Sequence, residues 1–174
     1  SSFARYLVNR ALSAAPAGAP VCFLDTDVGQ SELGAPGLVA LHVLGANVDA
    51  GDTNGWSPAI CASSKGHVEV VRALGELGAN LDAANTNGWT PAFIASSEGH
   101  VKVLRALHEF GANLDATDTD GWTPAHIASG SGHVEVVRAL GELGANLDAA
   151  KTDGATPAYI ASQIGHVEVV RAHH

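Results

Sequence analysis

The segment FLDTDVGQ (23–30) carries the side chains best suited to chemistry in this sequence. Asp25 and Asp27 follow a short apolar run, VCFLD (21–25), that suits a buried strand. A carboxylate pair at such a position can hold Mg²⁺, and Gln30 stands three residues further on. Four imidazoles, His67, His100, His133 and His166, each follow a glycine at a constant step of 33 residues. Equivalent positions on packed helices lie roughly 10 Å apart. That is too far for two of them to share one ion, so hydrogen bonding to nearby backbone is the expected role. His173 and His174 offer at most a weak metal site. Cys22 and Cys61 sit in apolar runs and read as small core residues. No Ser-His-Asp or Cys-His arrangement follows from spacing. Trp56, Trp89 and Trp122 recur at the same step, each directly after a turn glycine. Exposed, such a row would be an apolar patch of the kind that marks an interaction surface.

The whole chain limits what these groups can serve. Its 174 residues suffice for one domain or one short repeat array. A content of 46% apolar with only 5% aromatic residues requires a core of Ala, Val, Leu and Ile. With 9 basic and 18 acidic residues the formal charge is −9, which argues against nucleic acid as partner, because phosphate neutralisation needs Lys and Arg. No run has the length of a membrane span. Two cysteines suit a reducing, intracellular compartment, cytoplasmic or nuclear. There is no methionine, even at position 1, so the chain reads as a fragment or a processed product.

The 33-residue step fixes the elements that must position these groups. Residues 52–84, 85–117 and 118–150 are full units, 151–174 is a fourth cut short, and 38–51 is a partial leading unit. Units one and three differ at six columns only, 54/120, 57/123, 60/126, 61/127, 64/130 and 65/131. Asn-Gly or Asp-Gly at 54–55, 87–88, 120–121 and 153–154 predicts a tight β-hairpin tip, both residues tolerating positive φ. Ser57, Thr90, Thr123 and Thr156 stand where N-caps belong, each followed by Pro at the first helical position. A first helix should run to about Lys65 and end at Gly66. A second should begin near His67 and present Val68, Val71 and Leu74 as one stripe. Helices this short are marginal alone and must stack on their neighbours.

The recurring pattern G-W-T-P-A-x-I-A-S-x-x-G-H-V-E-V-V-R-A-L-x-E-L-G-A-N-L-D-A resembles the ankyrin repeat over about residues 38–174. The resemblance implies an all-α solenoid of helix-turn-helix units with β-hairpin tips, and binding of another protein without catalysis. The chain departs from the family at Ala59, Ala92, Ala125 and Ala158, where Leu is usual after Thr-Pro. The histidine of that motif stands only at His126, replaced by Ile60, Phe93 and Tyr159 elsewhere. Gly75 and Gly141 replace a late helical Leu, and their replacement by Ala is expected to raise the unfolding midpoint.

Residues 1–41 differ in kind. FARYLVNRAL (3–12) has helical spacing and precedes the strand-like run, giving a short α/β-like fragment. SSFARYLVNRAL followed by FLDTDVGQSELGAPGLVAL resembles the polynucleotide 5′-hydroxyl kinases of RNA processing. In that reading Asp27 and Gln30 end a D-x-x-Q signature, and Ser1 or Ser2 would be the Mg²⁺-holding hydroxyl. The glycine-rich phosphate loop and its lysine are missing, so ATP and Mg²⁺ would be cofactors only of a longer parent carrying that loop upstream. Residues 1–37 are therefore expected to be a truncated kinase-like segment serving as an irregular cap or partly disordered, with Asp27 and Gln30 as relics. The alternative function is that of a kinase fragment fused to ankyrin repeats.

Comparing the units with one another locates the expected binding surface. Columns 52/85/118/151, 54/87/120/153, 60/93/126/159, 64/97/130/163 and 65/98/131/164 vary most. By resemblance, hairpin tips and first helices line the concave face. The groove is expected to centre on Trp89, Phe93, Trp122 and His126, flanked by Trp56 and Tyr159, with Asp52, Asp118 and Asp120 as an acidic rim. The partner would be a protein with basic and apolar residues, met by a monomer.

Overall fold

The computed structural model describes residues 47–173, and from Asp49 onwards the chain forms one compact unit. Asp25, Asp27, Gln30, Cys22, the α/β-like fragment within residues 1–37 and the leading half-repeat helix at 38–44 lie outside the described residues. The described residues contain eight helices in four pairs. These are α1 (Pro58–Ser64) and α2 (Val68–Glu76), α3 (Pro91–Ser97) and α4 (Val101–Glu109), α5 (Pro124–Ser131) and α6 (Val134–Glu142), and α7 (Pro157–Ile164) and α8 (Val167–Ala172). First helices pack on first helices and second on second, so each pair contacts only its neighbours.

Each first helix starts as the sequence dictates. The hydroxyl oxygens of Ser57, Thr90, Thr123 and Thr156 accept the backbone N–H of Ile60, Phe93, His126 and Tyr159, and proline fills the next position. The second helices bury most of the anticipated stripe, but its first position does not close: Val68 is only half-buried and its equivalent Val167 is exposed. Val71 and Leu74, then Val103, Leu104 and Leu107, then Val136, Val137 and Leu140 have at most 4% exposure. Burying one such side chain stabilises by about 1.5–3 kcal/mol, and the neighbouring pair supplies the surface that does it.

The repeats are also tied to one another. The Asp49, Asp82 and Asp115 carboxylates accept the backbone N–H of Asn80, Asn113 and Asn146, one repeat further on, at 2.7, 2.8 and 2.9 Å. Arg72 reaches Glu109 and Arg105 reaches Glu142 across the same step. The latter pairs are exposed and contribute little.

Three expectations need correction. No strand occurs among the described residues, so the tips are turns and not β-hairpins. The first tip closes through Gly55 N–H to the Asp52 carbonyl at 2.9 Å, and Thr86 N–H then reaches the Asn54 carbonyl of the preceding tip at 3.1 Å. That is too little pairing to propagate a ladder. Only the second residue of each tip turns left-handed, as at Gly88 with φ 81°, while no non-glycine residue among the described residues has positive φ. Cys61 is exposed on α1 rather than buried. Its column-mates Ile94 and Ile160 are 6% exposed, so the column itself is apolar.

Candidate functional site: a tryptophan-lined groove

The three tryptophans are set by their own tips. Asp52 Oδ1 accepts the N–H of Asn54 and Trp56 at 2.8 and 2.9 Å, and Asp118 Oδ1 accepts those of Asp120 and Trp122 at 2.9 and 2.8 Å. Asn85 does the same for Asn87 and Trp89. One short acceptor thus fixes both the turn and the direction from which the indole leaves it. The acidic character of Asp52 and Asp118 is accordingly part of the fold as well as of the surface.

Trp56, Trp89 and Trp122 are half-buried and lie over a buried cluster of Ile60, Phe93 and Ile94, with Ile127 alongside. Between them opens a groove of about 440 Å³. Phe93 and Ile94 form its floor, Ser64, Ser97 and Glu98 its helical side, and Asp118 stands at its tip side. Trp89 and Phe93 are stacked, with centroids 5.9 Å apart and planes 5° from parallel.

The structure brings together Trp56, Trp89, Phe93, Trp122 and Asp118 from the set read in the sequence. Four of that set, His126, Tyr159, Asp52 and Asp120, do not line it. His126 is fully buried. Its Nε2–H donates to the Ala155 carbonyl of the next repeat at 3.0 Å, and Nδ1 accepts from the Thr123 N–H at 3.2 Å and lies 2.9 Å from the Thr123 hydroxyl. Burial pushes its pKa below the ordinary histidine value, against the raising effect of the Ala155 bond, so the ring is held neutral. It is a strut between repeats and touches no solvent.

Tyr159 departs in the other direction, with 59% exposure and no place in the groove wall. In the first three described repeats this column is covered by the following tip, as Ala155 covers His126. Asp52 and Asp120 are exposed on their tips. Glu98, Ser64 and Ser97 were not singled out as site residues, although their columns are among the most variable between units.

Three of the four Gly-His imidazoles tie neighbouring repeats together. His100, His133 and His166 donate Nε2–H to the carbonyls of Ser64, Ser97 and Gly130, the ends of the preceding first helices, at 3.2, 2.9 and 3.1 Å. Each ring lies against the glycine that ends that helix, Gly66, Gly99 and Gly132. Among the described residues, no three His, Cys, Asp or Glu side chains converge to hold a metal ion, and no helix is long and apolar enough to cross a membrane.

A search of curated proteins gave no match. The family model described as ankyrin repeats (3 copies) matches residues 31–118 and again 105–172. The first match begins inside the stretch that resembled a kinase, and that resemblance finds no support from the comparisons. Sequence periodicity, paired helices and these matches agree that the chain belongs to the ankyrin-repeat family.

Proposed function

We propose that this chain binds another protein through the groove between Trp56, Trp89 and Trp122, and that it does no chemistry of its own. Ankyrin repeats are in general protein-interaction modules. The observation that carries the placement is the groove itself, in which three indoles leave apolar surface open over a rigid floor. Aromatic side chains half-sunk in a fixed surface are the residues that dominate binding energy at protein interfaces. The Asp118 and Glu98 carboxylates in the wall, on a chain of net charge −9, favour a partner with basic as well as apolar residues. Raised salt should then slow association. A monomer suffices for this, since the groove is complete within one chain.

The test compares partner capture by wild type, by Trp89→Ala with Trp122→Ala, and by Lys102→Glu with Arg138→Glu on the exposed second-helix face. Each protein must first melt cooperatively. Loss of capture in the tryptophan pair alone supports the groove. Retained capture there, with loss in the second-helix pair, places the binding face on the opposite side.

A further inference from the structure

The fourth repeat contains an internal cation site. Lys151 Nζ lies over the Trp122 ring, 5.4 Å from its centroid, and is paired with the Asp153 carboxylate. Its side chain is only 14% exposed, so an ammonium is held between an indole face and a tip carboxylate. The repeat step maps this arrangement back by 33 residues, from Trp122, Lys151 and Asp153 to Trp89, Asp118 and Asp120.

The indole and the tip carboxylate are thus both present one repeat earlier, but the ammonium is missing. At both places the following tip lies beside the tip glycine. A Cβ on Gly88 would meet the Asp118 Cα at 2.9 Å, and one on Gly121 lies 3.6 Å from the Lys151 Cα. Where the fourth repeat supplies a cation, the third supplies a second anion. Asp118 Oδ1 is occupied by its own turn, while the other carboxylate oxygen is not used by that turn. The same mapping fails one step further back. There Asn85 and Asn87 stand beside Trp56, so no carboxylate completes the set.

We propose that Trp89, Asp118 and Asp120 form a subsite for one lysine or arginine side chain of the partner protein. The incoming cation lies over the Trp89 face and is neutralised by the two carboxylates, while its apolar stem follows the groove over Phe93 and Ile94. This subsite rests on the groove reading above and adds to it the charge and the position of one side chain. Trp122 cannot act as a second such subsite, because Lys151 already covers it.

The molecule suggests its own control. Asp118→Lys converts the third tip, DTDG, into KTDG, the tip already folded in the fourth repeat. The new side chain should then fill the subsite from within. Asp118→Asn removes one charge and keeps the turn acceptor that Asn85 provides in the second repeat.

The probes are three acetylated, amidated pentapeptides, Ala-Leu-Xaa-Leu-Ala, with lysine, norleucine or glutamate at the centre. Binding is read from the Trp89 indole N–H resonance, with the signal assigned by Trp89→Phe. The lysine peptide should shift it at millimolar concentration and bind about tenfold more tightly than the norleucine peptide. Asp118→Asn should weaken the lysine peptide about fivefold, and Asp118→Lys should abolish its effect in a protein that still melts cooperatively. Equal binding of the norleucine peptide, no shift with lysine, or full binding by Asp118→Lys each overturns the subsite. If those occur while the Trp89→Ala, Trp122→Ala pair still loses partner capture, the groove reading survives and the subsite alone fails. Concentration-dependent dimerisation that Asp118→Lys abolishes would make a second copy the occupant, and would also overturn it.

Discussion

The Phe110 ring lies on Gly75, one repeat away, so closely that a Cβ built on the glycine would stand 2.6 Å from the ring. The two positions belong to different columns, 75/108/141 and 77/110/143, and only here does a glycine face a phenylalanine. The expectation that alanine at Gly75 stabilises is therefore corrected. The helix gains about 1 kcal/mol from leaving glycine, but overpacking against a ring costs about 1–3 kcal/mol. Gly75→Ala should lower the unfolding midpoint, and Phe110→Leu added to it should recover most of the loss. Additive effects of the two changes in a double-mutant cycle would show that the ring moves aside freely.

Gly141 provides the contrast. A Cβ there comes to 3.1 Å only from the end of the Leu147 side chain, which is free to give way. Gly141→Ala should leave the midpoint unchanged or raise it by up to about 1 kcal/mol. A drop as large as that of Gly75→Ala would contradict this difference between the two sites.

Stability should fall in weak acid because of His126. Its folded pKa is lowered from 6.5, so between the folded value and 6.5 the unfolded chain binds more protons. Stability is then complete above 6.5 and is lost as pH falls from there towards the folded value. His126→Ile, which copies Ile60 of the first repeat, should flatten the dependence of melting temperature on pH across this window, whatever its absolute effect. An unchanged slope would move the cause to other groups.

Ser63 and Ser96 are fully buried and their hydroxyls have no hydrogen-bond partner, whereas the Ser129 hydroxyl lies 3.2 Å from His173 Nε2. A buried hydroxyl without a partner opposes folding. Ser63→Ala and Ser96→Ala should each stabilise by about 1 kcal/mol in denaturant titrations, and Ser129→Ala should not. Destabilisation by the first two would show that water reaches those hydroxyls.

The staples between repeats make a matching prediction. His133→Ala removes the donor to the Ser97 carbonyl and uncovers Gly99. It should cost about 1–3 kcal/mol and leave the helix content intact. A loss below the error of the measurement would reduce the Gly-His pair to a turn signal.

The family, the helix pairs, the N-caps and the buried stripe of the second helices were determined by sequence alone. They depend on short-range rules, repeated four times in register: a capping hydroxyl before proline, a glycine at each left-handed turn, and apolar residues on one helical stripe. The backbone-bonding role of His100, His133 and His166 was legible for the same reason, although their acceptors were not, since each lies 36 residues away. What only tertiary structure decided was the fate of each column once repeats stack. His126 and Tyr159 occupy the same column and the same helical position, yet one has no exposure and the other 59%, because the next tip covers the first and not the second. Likewise Lys151 and Asp118 share a tip position, but the indole beside each belongs to the repeat before, so the meaning of their charges follows from packing between repeats. At Gly75, helix propensity alone favours alanine, whereas the Phe110 ring lying on it does not. Local preferences repeat every 33 residues, but contacts between repeats join different columns, and those pairings follow from how the helices pack.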